Sequence, residues 1–232
     1  MMGQVGGGVN PKPCSQWFAA TACVFVTSLV TSNIIAVKLM TVSGLTLPAG
    51  VLLFPCAYIC GDVLTEVYGY SLAQRVIWLG FVCNVIAVAA IEVAGFLPPA
   101  ASWHGQDSYA EILGYAPRLL IASFSAYLVG ELSNSFILVR IRVATRGRWL
   151  WVRTIGSSLV GEGLDSLLFI AIAYGGALSL GTLAWLIMTQ WLAKCTYEAA
   201  ATPITYLVVR FLRRQEELMA LQVEPIRKLL EG

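Results

Sequence analysis

Six apolar stretches, each long enough to cross a bilayer, constrain this chain more than any other feature: residues 17–40, 47–68, 72–97, 119–139, 155–178 and 183–212. A hydrocarbon core about 30 Å thick is crossed by roughly 20 helical residues. Inside lipid every backbone N–H and C=O must be paired within the protein, and a helix does this within its own segment. The expected fold is therefore all-α, a polytopic membrane bundle of six transmembrane helices. Residues 1–16 read as a flexible, glycine-rich N-terminal segment, 17–212 as the transmembrane domain and 213–232 as a cytoplasmic tail able to form a short amphipathic helix. The first stretch is longer than a signal-peptide core and has no small-residue cleavage site after it. Of the 232 residues, 58% are hydrophobic and only 12% charged, so no length remains for a separate soluble catalytic domain.

Basic residues set the orientation. Arg140, Arg142, Arg146, Arg148 and Arg153 crowd the fourth connection, and Arg210, Arg213 and Arg214 follow the last span. By the positive-inside rule both regions are cytoplasmic. An even number of spans then places both termini inside, together with Lys12 and the turn carrying Arg75. The turn near Ser43 and the loop 98–117, with His104, Asp107 and Glu111, fall outside. A net charge of +2, with its basic residues in loops, excludes a nucleic-acid-binding stripe. Cys14, Cys23, Cys56, Cys60, Cys83 and Cys195 form no ligand-spaced pair and read as small apolar fillers, so neither a metal nor a cofactor is expected.

The informative residues are the charges inside spans: Asp62, Glu66, Glu92, Glu131, Glu162, Asp165, Lys194 and Glu198. At a lipid-facing helix centre each would cost about 2.5–3.5 kcal/mol or more, so they must face the bundle interior or a wet cavity. Helical spacing sorts them into faces. Asp62 and Glu66 share one, as do Glu162 and Asp165. Gln190, Lys194 and Glu198 form a stripe on the last span, and Glu131, Asn134 and Ser135 one on the fourth. Such a set could be a structural ion-pair network that only fixes helix packing. However, acids outnumber Lys194 and Lys38, so self-neutralisation requires protonated carboxylates or a bound donor. Pro55 and Pro203 inside spans remove backbone hydrogen bonds, as helix breaks beside transport sites do and as plain kinks also do. Tyr58, Tyr68, Trp78, Phe169, Trp191 and Tyr197 lie near the polar faces, and one or two of these rings are expected to stack on a planar ligand.

An intramembrane aspartic protease would need paired aspartates. Asp62 and Asp165 could supply them, but neither lies in a motif of that class and Glu66 and Glu162 crowd the site. No G-x-x-x-x-G-K-[ST] segment is present, so ATP hydrolysis of that type would need a partner. A channel would prefer a ring of repeated residues from identical subunits. An inverted three-plus-three repeat fails on depth, because both acid pairs fall toward the cytoplasmic side. The residues favour a carrier over an enzyme.

Several blocks then become recognisable: Ser32-Asn33-Ile34-Ile35 with Lys38; Phe54-Pro55 with Tyr58; the run Gly61-Asp62-Val63-Leu64-Thr65-Glu66-Val67-Tyr68-Gly69; Gly161-Glu162-Gly163-Leu164-Asp165-Ser166 with Phe169; and Lys194 with Glu198 and Pro203. Between residues 31 and 210 the chain resembles the queuosine precursor transporter family, also called the vitamin uptake transporter family. The resemblance implies a six-helix, multi-pass inner-membrane importer of 7-deazaguanine bases, notably 7-cyano-7-deazaguanine and 7-aminomethyl-7-deazaguanine. Its substrate-binding candidates are Asn33, Tyr58, Asp62, Glu66, Glu131, Glu162, Asp165, Gln190, Lys194 and Glu198. One carboxylate can accept the ring N–H and 2-amino group as a fork, while an amide or lysine donates to the ring carbonyl. Membrane lipid surrounds the chain, and a homodimer is compatible with it. The alternative is the substrate-binding membrane subunit of an energy-coupling-factor-type vitamin transporter, which needs an ATPase module. The Ala-x-x-x-Ala spacing common on the docking helix of such subunits is missing between residues 17 and 40.

Overall fold

The computed structural model describes residues 15–42, 44–144 and 150–230. Its helices are α1 (Gln16–Ile35), α2 (Phe54–Val63), α3 (Tyr70–Phe96), α4 (Gln106–Leu113), α5 (Ala116–Ala144), α6 (Leu150–Tyr174) and α7 (Leu180–Leu230). Four helical stretches among the described residues are long and apolar enough to cross a membrane: Gln16–Ile35, Ala49–Tyr68, Tyr70–Phe96 and Gln106–Gly130, the last running from α4 into α5. The glycine-rich residues 1–14, and most of the basic connection after α5, lie outside the described residues.

Besides α4, a helix within residues 98–117 that read as a loop, two elements depart from the sequence expectation. First, the fold is a helical bundle as expected, but a short β-hairpin interrupts it. α1 stops at Ile35, and a hairpin of β1 (Leu39–Val42) and β2 (Leu45–Pro48) follows, with Leu39 opposite Pro48 and Val42 opposite Leu45. The run 17–40 looked continuous because the β-branched and apolar residues of a short strand have the same hydropathy as a helix end. Thr189 of α7 anchors the hairpin by donating its hydroxyl to the Thr46 carbonyl at 2.7 Å. Second, α7 continues through the region read as a separate tail and is a single helix of 51 residues. Pro203 does not interrupt it.

The second span is assembled from three kinds of turn. A 3₁₀ segment (Ala49–Leu53) leads into α2, and a π-helical turn (Leu64–Tyr68) closes it. Pro55 sits in the first turn of α2, where its missing N–H has no helical partner to lose. Gly50 is required where the 3₁₀ segment crosses α1, since a Cβ there would lie 2.6 Å from the Ser32 carbonyl oxygen. Gly69, with φ 89°, joins the π turn to α3 in a conformation that side chains disfavour.

Two apolar clusters hold the helices together. One unites Ala36, Leu119, Ala122, Ala126, Phe169, Ile170, Ala173, Tyr174 and Leu186 from α1, α5, α6 and α7. The other unites Phe25, Val63, Leu64, Tyr68, Ala73, Val76, Val209 and Leu212 from α1, the second span, α3 and the far part of α7. Ala122, Ala126 and Gly130 recur every fourth residue on α5, so they line one face of the helix and allow α6 to approach closely. Arg118 clamps the same pair at the other end, donating Nε to the Ile172 carbonyl at 2.6 Å and a guanidinium nitrogen to the Gly175 carbonyl.

Candidate functional site

Between the two clusters, α2, α6 and α7 bring charged groups into the interior. On α7, Lys194 lies two turns beyond Leu186 of the first cluster and well before Val209 of the second. Its ammonium pairs with Asp165, lies 3.3 Å from Glu162 Oε2, and stands 5.0 Å from the centre of the Phe54 ring. The Lys194 side chain is 7% exposed, against 18% for Glu162 and 20% for Asp165. Tyr58 donates its hydroxyl to Glu162 Oε1 at 2.9 Å, which ties α2 to the pair. A buried ammonium in this setting requires close counter-charges, and two carboxylates from consecutive turns of α6 supply them. Glu198, one turn further along α7, is half-buried and within electrostatic reach of Glu162, Asp62 and the Ser158 hydroxyl.

The backbone behind Asp165 is held just as tightly. A Cβ at Gly130 would come within 3.0 Å of Asp165 Cβ and 3.2 Å of the Gly161 carbonyl oxygen, so the small face of α5 sets where this carboxylate stands. Trp191 closes one flank by donating its indole N–H to the Leu159 carbonyl at 3.0 Å, with its ring 3.6 Å from the place a Gly163 Cβ would occupy.

The structure thus joins Tyr58, Glu162, Asp165 and Lys194 in one network. Gln190, one turn before Lys194, is 1% exposed, and neither polar atom of its amide has a partner among the described residues. Asn33 is engaged elsewhere: it donates to Asn84 Oδ1 of α3 at 3.0 Å, and Asn84 in turn donates to the Gly80 carbonyl at 3.1 Å. Glu66 lies at the end of the second span, where Arg213 reaches its carboxylate at 3.2 Å and its carbonyl at 2.8 Å. Asp62 is exposed and interacts with Glu66 and Glu198. The side chains of Glu131, Asn134 and Ser135 lie outside those described. Glu92 lines a cavity of about 170 Å³ at the far end of α3, walled also by Ile91, Phe96, Tyr109 and Gly114, and no member of the charged network lines it.

Several contributors were given no role by the sequence reasoning. Asn84 carried a signal, because a lone amide in an otherwise apolar span must find a hydrogen-bond partner. The four-residue spacing of Ala122, Ala126 and Gly130 was also visible. Phe54 and Ser166 stood inside the blocks that carry the family resemblance, with no binding role attached to either. No group of three or more histidine, cysteine, aspartate or glutamate side chains among the described residues is arranged to hold a metal ion.

Apolar spans that enclose an ammonium held between two carboxylates define a multi-pass helical membrane protein with a polar centre. The family model described as "Putative vitamin uptake transporter" matches residues 48–208. That is more than half of the chain, and the protein belongs to this family. It is similar to the "Probable queuosine precursor transporter" of Bacillus subtilis (strain 168), 26% identical over 81% of this chain and 82% of that protein. Another relative is the "Queuosine precursor transporter" of Escherichia coli (strain K12), 27% identical over 68% of this chain and 67% of that protein. A "Probable queuosine precursor transporter" of Haemophilus influenzae is 29% identical over 54% of this chain and 51% of its own length. No solved structure matches.

Proposed function

We propose that this protein imports 7-deazaguanine precursors of queuosine, such as the 7-cyano and 7-aminomethyl bases, across the inner membrane for tRNA queuosine salvage. The observation that carries the reading is the network at Lys194: one buried ammonium faces two carboxylates, with Glu198 and Asp62 within reach of the same centre. Acceptors are therefore in excess, and a base presenting adjacent ring N–H and amino donors is complementary to them. The names of the relatives point to the same class of cargo. The binding set proposed is Tyr58, Glu162, Asp165, Gln190 and Lys194. Asp62 and Glu198 stand at its edge, whereas Asn33 is engaged by Asn84, Glu66 by Arg213, and the Glu131 side chain lies outside those described.

Six spans with both termini cytoplasmic are proposed as the topology. A cysteine placed at Gly105 should react with an impermeant thiol reagent in intact cells, while one at Arg146 should not. The reverse pattern inverts the chain.

The decisive experiment is uptake of labelled deazaguanine into cells lacking precursor synthesis, followed by reconstitution of the purified chain in liposomes. The expected outcome is transport by the chain alone, either passive or driven by a proton gradient. Binding without transport until an ATPase module is added would instead favour the energy-coupling-factor-type subunit. Neither binding nor transport of any deazaguanine would remove the proposed cargo.

A further inference from the structure

A cyclic lactam carries a carbonyl oxygen as well as N–H donors, and carboxylates cannot satisfy that oxygen because they only accept. Donors near the network are few, and most are already committed. Lys194 is held by Asp165 and Glu162, the Tyr58 hydroxyl by Glu162, the Trp191 indole by Leu159, and the Asn33 amide by Asn84. Two donors among the described residues remain without a partner next to the network: Nε2 of Gln190 and the hydroxyl of Ser166, whose residues are 1% and 0% exposed.

Helical register also puts these two side chains at one level. α6 and α7 run antiparallel through a short connection. On α7, Gln190 lies one turn from Leu186 and one turn from Lys194. On α6, Ser166 lies one turn from Ile170 and one turn from Glu162. Leu186 packs in the same cluster as Ile170, and Lys194 pairs with Glu162, so Gln190 and Ser166 are bracketed from both sides. They sit between the apolar cluster and the ionic network, buried and uncommitted.

We propose that Gln190 and Ser166 are specificity-determining residues that read the carbonyl of a planar cyclic lactam, Gln190 Nε2 donating to one lone pair and Ser166 Oγ to the other. The ring N–H beside that carbonyl is left, with the amino group, to the carboxylates of the network. The proposal rests on the transport reading above and adds to it the atoms that discriminate a lactam from a heterocycle lacking the carbonyl. Thr205, whose hydroxyl is also buried without a partner, lies about four turns beyond Gln190 on α7 and outside this layer.

The test compares two labelled permeants in liposomes containing the full chain: 7-cyano-7-deazaguanine and its analogue with the ring carbonyl replaced by hydrogen. The wild-type protein should prefer the lactam. Gln190→Leu should raise KM for the lactam by about 10-fold to 100-fold, and Ser166→Ala by up to about 10-fold, since a ligand oxygen loses a buried donor. Neither change should affect the analogue comparably, a selectivity shift that a purely structural defect would not produce. Gln190→Asn keeps the amide and controls for folding, as does recovery of each variant as a monodisperse species.

If the wild-type protein carries the lactam and both variants keep its preference over the analogue, the assignment of these residues is overturned while the transport reading stands. If the wild-type protein carries no deazaguanine, thermal stabilisation by a panel of other cyclic lactams decides. Stabilisation of the wild-type protein but not of Gln190→Leu would preserve the carbonyl-reading role, and no stabilisation by any lactam would overturn it.

Discussion

The same pairing of acid and base occurs in two places with opposite surroundings. At the centre, Lys194 lies between Asp165 and Glu162 with side-chain exposures of 7%, 20% and 18%. At the end of the second span, Arg213 meets Glu66 with exposures of 53% and 62%. Near it Glu216 accepts hydrogen bonds from Tyr68 at 2.9 Å and from Ser15, which also caps α1. Removing one member of the buried set strands charge away from water, whereas the exposed pair retains solvent as an alternative partner. The central network is therefore the place where a substitution registers in both stability and transport, and the peripheral pair serves to fasten α7 to the ends of α1 and the second span.

The largest expected effect comes from Lys194→Met. Two carboxylates are left facing one another, and breaking a buried pair in this way costs about 3–5 kcal/mol. The variant should show a markedly lower melting temperature in detergent and no uptake. Adding Asp165→Asn and Glu162→Gln should recover the melting temperature without recovering uptake. A Lys194→Met protein as stable as the wild type would show that the centre is wetter than its burial implies.

Next comes Asp165→Asn, which keeps the volume but loses the charged double acceptor. Uptake should fall below detection while the protein still inserts and is purified in normal amounts. Asp62→Asn provides the contrast, because Asp62 is exposed and makes no ion pair among the described residues. Its uptake should be reduced less, and an equal loss in both variants would place Asp62 at the centre rather than at its edge.

Gly130→Ala probes the backbone behind the network. The added methyl would press on Asp165 Cβ and the Gly161 carbonyl, and overpacking of this kind costs about 1–3 kcal/mol. A lower melting temperature together with a raised KM is expected, and Ala126→Gly on the same face should not raise KM. Tyr58→Phe removes one hydrogen bond to Glu162 and should cost about 1 kcal/mol.

The smallest effect belongs to Arg213→Gln. Exposed pairs contribute about 0–1 kcal/mol and are screened by salt. The melting temperature should shift by little at low ionic strength and by nothing measurable at high salt. A shift as large as that of Lys194→Met would erase the distinction between the two regions.

Much of this was legible in the sequence for a simple reason. Hydropathy along a chain reports which segments prefer lipid, and a charge inside such a segment reports an interior position, since lipid penalises the alternative. Helical spacing placed Glu162 and Asp165 on one face, and charge balance marked Lys194 as a counter-charge, but neither said which acids it meets. Periodicity cannot report which helix meets which, so Asn33 and Glu66 shared a polar label with Lys194 although the fold engages them with Asn84 and Arg213. Nor could hydropathy separate the β-hairpin from the end of α1, or the end of the last span from the helix that continues it. The sequence by itself determined that this protein is a membrane bundle with a charged interior. Only the tertiary structure decided which of those charges share a centre and which donors beside it remain free, because partner choice depends on distances between helices that no single helix encodes.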